Sequence, residues 1–248
     1  MLGAPPEGRV FRIHRRPQLA DCAPSGRIRL DALARWMQDI AYADVEDVGL
    51  ERVAVWVLRR SRIRVARFPV FGEHCEVRTF CSGIGRMWAE RRTTVTLAGE
   101  EGAGGPLVDG VALWVHLDPE RRLPSPVTAA ELEVYATAAG GRRVPARLRH
   151  PRPDQVEARS DWHFRHTDAD IADHINNAAY WEPLEDELLR SSREIAQIDA
   201  ELEFRVPAQP GTKRILVSGP RRWITEPDGE EVYASTHVMS AVSGGAPQ

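Results

Sequence analysis

The spacing of apolar positions changes along the chain, and each change marks an element. A short extended piece, RVFRIH, is followed by a polar loop, LADCAPSG. Then RIRLDALARWMQDIAYA places Leu30, Leu33, Ala34, Met37 and Ala41 on one stripe of an amphipathic helix. VAVWVLRRSRIRVARF alternates instead, with Ser61, Ile63 and Val65 opposed to Arg60, Arg62 and Arg64, which predicts a half-exposed strand. HCEVRTFCSG, RMWAERRTTVTLAG and LVDGVALWVHLD predict three more strands. Residues 126–157 lose this periodicity and are rich in Pro, Gly, Ala and Arg, which predicts a linker crossing a surface.

The pattern then starts again. ARSDWHFRH reads as extended, TDADIAD as a polar loop and HINNAAYWEPLEDELLR as helical. AELEFRVPAQPG, KRILVSGPRRWIT and EVYASTHVMSAV follow as strands. Asp21 and Arg27 are spaced as Asp168 and His174 are, and Ile28 then matches Ile175. Pro69 with Gly72 likewise matches Pro207 with Gly211. One strand, one helix and several strands, twice, indicate an internal duplication. Short connections make the strands antiparallel, and each sheet has one long helix to cover its apolar face. The expected fold class is therefore α+β, a tandem hot-dog of two antiparallel sheets, each wrapping a central helix. The expected units are 1–125 and 158–248, and sheets joined edge to edge would hide exposed strand edges.

Composition removes several function classes. The formal net charge of −3 leaves no global nucleic-acid footprint. No segment approaches the roughly 20 apolar residues of a membrane span. The start of the chain has no apolar run of signal-peptide length. Cys22, Cys75 and Cys81 form no metal-ligand spacing and suit reduced thiols, so a cytoplasmic protein without metal is expected. His163, His166 and His237 are dispersed and read as strand residues.

The segment DADIADHINN, residues 168–177, concentrates the candidate chemistry. Aspartates ahead of a helix are favoured as caps, and capping accounts for Asp173. Asp168 reads as structural, because Asp21 holds the equivalent place in a half that lacks the histidine. Asp170 and His174 differ: their counterparts are Ala23 and Arg27. Pro183 falls inside the second helical run, where a proline removes a backbone donor, so a break near Tyr180 to Pro183 is expected. Trp36, Trp56, Trp88 and Trp114 are core residues or the lining of an apolar tunnel.

DADIADHINNAAYW resembles the helix-initiating motif of hot-dog thioesterases, and is most similar to that of the acyl-acyl carrier protein thioesterases. LARWMQDIAYADVEDVG, VWVLRRSRIRVARFPVFGE and VRTFCSGIGRMWAERRTTV follow the order of that family's first half. The resemblance implies hydrolysis of a fatty acyl thioester on acyl carrier protein, in fatty acid biosynthesis, with no cofactor. It sets the family's Asp on Asp170 and its His on His174, as the catalytic pair. Asn176 and Asn177 are then substrate-binding or loop-bracing residues. Two positions depart from it: the motif's Asn falls on Ala172, and RVPAQPG holds neither the downstream Glu nor the Cys. An acyl-CoA thioesterase and a non-hydrolytic acyl-binding protein therefore stand as rivals, with hydratase chemistry weaker. The expected partner is acyl carrier protein bearing its acyl chain, or acyl-CoA, with a homodimer as an alternative to a single chain. Arg142, Arg143, Arg147, Arg149 and Arg152, with Arg60, Arg62 and Arg64, form either an anion-attracting patch or a solvated face.

Overall fold

The computed structural model describes residues 3–53, 55–99, 105–191 and 194–244. Ala54, near the start of the second predicted strand, lies outside the described residues. The first half contains β1 (Phe11–Arg15), α1 (Leu30–Asp47), β2 (Val55–Val65), β3 (Cys75–Ile84), β4 (Trp88–Leu97) and β5 (Val108–Leu117). After α2 (Ala129–Ala139), the second half contains β6 (Ala158–Phe164), α3 (Glu182–Arg190), β7 (Ile195–Phe204), β8 (Gly211–Ser218), β9 (Arg221–Thr225) and β10 (Val232–Ser243).

The ten strands form one antiparallel sheet in the order β1-β3-β4-β5-β2-β7-β10-β9-β8-β6. Its second half mirrors its first. The two sheets expected from the sequence are thus one, joined where β2 pairs with β7 from Arg60↔Glu203 to Val65↔Ile198. This seam pairs two strands that would otherwise be open edges. One core cluster carries Leu33, Met37 and Ile40 of α1, Ile63 and Val77 of the first half, and Trp181, Leu184, Ile198 and Leu202 of the second. Both helices therefore cover the same side of the sheet, and α1 contacts α3 directly.

Three local features differ from the expectations. KRILVSGPRRWIT is two strands, β8 and β9, with Ser218 paired to Arg221 across a Gly219–Pro220 turn. Gly219 takes φ +50°, which a glycine adopts without steric cost, and so the hairpin closes inside an apolar run. The linker contains a helix. The hydroxyl of Thr128 accepts from the Glu131 N–H while the Glu131 carboxylate accepts from the Thr128 N–H, a capping box that starts α2. The second helical run begins later than expected and without the expected break: Ala179–Trp181 form a 3-10 turn that runs directly into α3 at Glu182, with Pro183 in its first turn, where no intrahelical donor is needed.

After α2 the chain runs as a strap over the outer face of the sheet. Trp88 Nε1 donates to the Val144 carbonyl at 2.6 Å, and Trp223 Nε1 to that of Pro151 at 2.9 Å. Gly83 permits the close approach, since a Cβ there would meet Val144 Cγ1 at 2.5 Å. Between these points the buried Glu203 accepts the backbone N–H groups of Arg149 (2.6 Å) and His150 (3.0 Å).

Candidate active site

The internal duplication holds bond for bond at the turns that precede the helices. In the first half the Ala23 N–H donates to Arg27 O (2.8 Å), Arg29 N–H to Asp21 O (2.9 Å) and Ile28 N–H to Pro69 O (2.8 Å). In the second half Asp170 N–H donates to His174 O (3.0 Å), Asn176 N–H to Asp168 O (2.8 Å) and Ile175 N–H to Ala208 O (3.0 Å). Each turn needs one residue at positive φ, Gly26 in one and Asp173 in the other. Asp173 is therefore a turn residue and caps no helix, contrary to expectation. Aspartate tolerates this conformation better than most side chains.

Within one shared backbone the two turns carry different chemistry. Arg27 is buried and its guanidinium pairs with Glu185 of α3 at 2.7 Å and also with Glu194. Glu185 in turn accepts the Leu30 N–H at the start of α1 (3.0 Å), a carboxylate set at a positive helix end. The first turn is thus a clamp between helices. In the second turn, His174 and Asp170 are half-buried and without ion-pair partners among the described residues. Asp170 Oδ1 accepts from the Ala172 N–H and Oδ2 from Asn176 Nδ2, both at 2.9 Å. His174 Nδ1 lies 3.3 Å from the Ile175 carbonyl, a long contact that leaves Nε2 uncommitted. No side-chain hydrogen bond joins Asp170 to His174 among the described residues; the backbone of the turn brings them together.

The neighbouring residues brace this arrangement. Asp168 is buried and accepts from the Arg165 N–H (2.7 Å) and its guanidinium (2.7 Å), as the sequence reading of it as structural anticipates. Asn176 Oδ1 accepts the Ala178 N–H at 2.9 Å, so Asn176 is a brace on both sides. Tyr180 Oη accepts the Ala208 N–H at 2.7 Å, and burial pushes the Tyr180 phenol up to about 12. Ala172 is exposed at the tip of the turn, and Pro207 is exposed beside the fully buried Ala208. Ala172 supplies no polar side chain, and the RVPAQPG stretch supplies neither a Glu nor a Cys.

Residues Ile175 to Ala178 lead into the second helix, and a helix start can offer its N–H groups to a developing oxyanion. Three of their four N–H groups are used internally, and among the described residues only that of Asn177 has no partner. Asn177 lines a narrow crevice with Ala178, Trp181, Met37, Leu58 and Ser61. Gln38 and Trp114 also line it, and they line a larger cavity of about 190 Å³ as well. That cavity lies in the first half, among Ala41, Val45, Leu50, Trp56, Ile84 and Ala89. Trp56 and Trp114 are therefore cavity walls, whereas Trp36 is buried in the core. Burial also pushes the Tyr135 phenol on the cavity wall up to about 12.

Elsewhere, His150, Glu201 and Glu203 offer atoms within 4.8 Å of one another, a spacing that suits a metal ion. Their surroundings are cationic, however, and Glu203 is taken by two strap N–H groups. Arg60 lies 3.7 Å from Glu201. We read this group as the anchor of the strap. Of the arginine patch, Arg60, Arg62 and Arg142 pair with Glu201, Asp199 and Glu90. Arg64, Arg143, Arg147, Arg149 and Arg152 are exposed. No helix is long and apolar enough to cross a membrane.

Comparison with known proteins agrees with this fold. An uncharacterized protein of Mycobacterium tuberculosis, Rv2001, is 24% identical over 85% of this chain and 83% of its own. The 12:0-ACP thioesterase from Umbellularia californica superposes with a TM-score of 0.73 at 19% identity, covering 96% of this chain and 99% of that one. An acyl-ACP thioesterase from Bacteroides thetaiotaomicron gives 0.71 at 18% identity, over 92% and 96%. The family described as acyl-ACP thioesterase matches through its N-terminal domain over residues 10–135 and its C-terminal domain over 152–246. With both halves matched and the paired turns in place, the chain belongs to the acyl-ACP thioesterase family, the thioester hydrolases that release fatty acids from acyl carrier protein.

Proposed function

We propose that this chain releases a fatty acid from acyl carrier protein by hydrolysis at the Asp170–His174 turn, within a tandem hot-dog whose units are 1–125 and 158–248. The observation that carries this reading is the free Asn177 N–H. Asn177 lines a crevice that shares the wall residues Gln38 and Trp114 with the apolar cavity, and it lies beside a turn where the duplicate has Ala23 and Arg27. The acyl chain occupies the cavity and its carbonyl oxygen points at the Asn177 N–H. Asp170, oriented by Asn176, takes a proton from water as the oxygen attacks the thioester carbon. The Asn177 N–H stabilises the resulting oxyanion. Collapse breaks the C–S bond, and the thiolate leaves with a proton delivered through His174. The products are the carboxylic acid and the free thiol, with no cofactor consumed.

We place this activity in fatty acid biosynthesis in the cytoplasm. A thiol-release assay over a range of acyl lengths, on acyl carrier protein and on coenzyme A, tests the reading. Release fastest from acyl carrier protein supports it. Faster release from acyl-CoA favours the broader thioesterase, and acyl binding without release favours a non-hydrolytic protein, as the missing polar groups at Ala172 and in RVPAQPG would allow.

A further inference from the structure

Arg59 and Arg205 stand apart from the other arginines of the sheet. The register of β2 against β5 shifts between Leu58 and Arg60, a bulge that leaves Arg59 out of the ladder. Bulges re-aim side chains and concentrate beside functional sites. Leu58 faces the crevice with Asn177. Among the described residues, the Arg59 guanidinium donates only to the Arg205 carbonyl, from Nη1 at 2.9 Å. Arg205 directly follows β7, and its Nη2 donates to the His150 carbonyl at 2.7 Å while its Nε is buried without a partner. Neither guanidinium has an ion-pair partner among the described residues. Arg60, by contrast, has Glu201, and Arg62 has Asp199.

The balance of charge here is positive. Glu203 is the carboxylate whose charge acts on Arg59, and it is already held by the strap. Arg147 and Arg149 of the strap add two exposed cations beside it. Burial and the Arg205 cation together lower the Arg59 pKa, the mark of a guanidinium lacking a counter-ion. Each of the two arginines is also accompanied by an exposed valine, Val57 and Val206. Arg59 and Arg205 both lie just beyond Arg60↔Glu203, the end pair of the β2–β7 seam. Three residues beyond Arg205, Ala208 holds the Ile175 N–H of the catalytic turn.

We propose that Arg59 and Arg205 form a binding site for the phosphate of a phosphopantetheine arm, whose thiol end reaches the crevice at Asn177. This rests on the thioesterase reading above. Planar guanidinium groups suit phosphate oxygens, and the apolar valines suit the dimethyl portion of the arm. Acyl carrier protein and coenzyme A present the same arm and the same phosphate.

The test is calorimetric titration of the full chain with 4′-phosphopantetheine and with pantetheine, which needs no turnover and so stands even if hydrolysis fails. The wild type is expected to bind the phosphorylated arm roughly tenfold or more tightly than pantetheine, the effect of a hydrogen-bonded charge pair. Arg59→Gln and Arg205→Gln are each expected to remove that advantage, and Arg64→Gln to keep it. Equal wild-type affinities, or an advantage retained in folded Arg59→Gln, overturn the proposal. Should both variants fail to fold, inorganic phosphate must displace 4′-phosphopantetheine from the wild type more strongly than chloride at equal ionic strength; failure to do so overturns it. In turnover, Arg59→Gln should raise KM for acyl-CoA and acyl-acyl carrier protein alike. A rise for the carrier protein alone would assign the arginines to its protein surface and overturn the phosphate assignment.

Discussion

Asn176 Nδ2 donates to Asp170 Oδ2 across 2.9 Å, while Asn176 Oδ1 accepts the Ala178 N–H at the same distance. One amide thus ties the proposed base to the helix start. Asn176→Ala is expected to lower kcat by roughly ten- to a hundredfold, the cost of a misplaced reacting group, with little change in KM. Asn177→Ala acts differently, because the proposed substrate contact is its backbone N–H; kcat should fall no more than about threefold. Steady-state kinetics on both variants checks the contrast.

The first turn was legible in the sequence only by comparison with the second. The spacing of Asp21 to Arg27 against Asp168 to His174 located both, and the matched hydrogen bonds at Ala23 and Asp170 explain why it could. What a spacing cannot show is which donors remain free. Three of the four N–H groups from Ile175 to Ala178 are consumed by distant or side-chain acceptors, so the choice of Asn177 needed the fold. Arg59 and Arg205 were invisible for the same reason, since their meaning lies in the partners they lack. The β8–β9 hairpin and α2 did leave signals, the Gly219–Pro220 pair and the Thr128–Glu131 capping box. They were masked by a continuous apolar run in one case and a Pro-rich context in the other.

Arg27 is the structural counterpart of His174. Removing it leaves Glu185 buried and uncompensated between α1 and α3. Arg27→Ala is expected to destabilise the fold by roughly 3–5 kcal/mol. Denaturant unfolding measures this, and a loss under about 1 kcal/mol would contradict the clamp.

Asp31, at the start of α1, is 1% exposed. Burial raises its carboxyl, but the hydrogen bond and charge of Arg29 and the charge of Arg35 outweigh this and hold it below the usual range. A depressed carboxyl contributes stability that is full above its unfolded value, about 3.9, and is lost as pH falls through the folded value. Asp31→Asn should therefore be less stable than the wild type at pH 7, and the gap should close as the pH falls below about 4. Thermal unfolding across that range reads the difference.

Pro183 lies in the first turn of α3 rather than in a helix interior. Pro183→Ala should change stability by less than about 1 kcal/mol, mostly through the unfolded chain. A gain near 3 kcal/mol would mean that the proline strains a continuous helix.

The most direct measurement is thiol release from acyl-acyl carrier protein by the wild type and by Asp170→Asn, with the folded state of each checked by its unfolding transition. The wild type should release thiol and free fatty acid in equal amounts. Asp170→Asn, equally folded, should lose activity by roughly a hundredfold or more, as expected for a general base. Undiminished release by a folded Asp170→Asn enzyme would place the chemistry somewhere other than the Asp170–His174 turn.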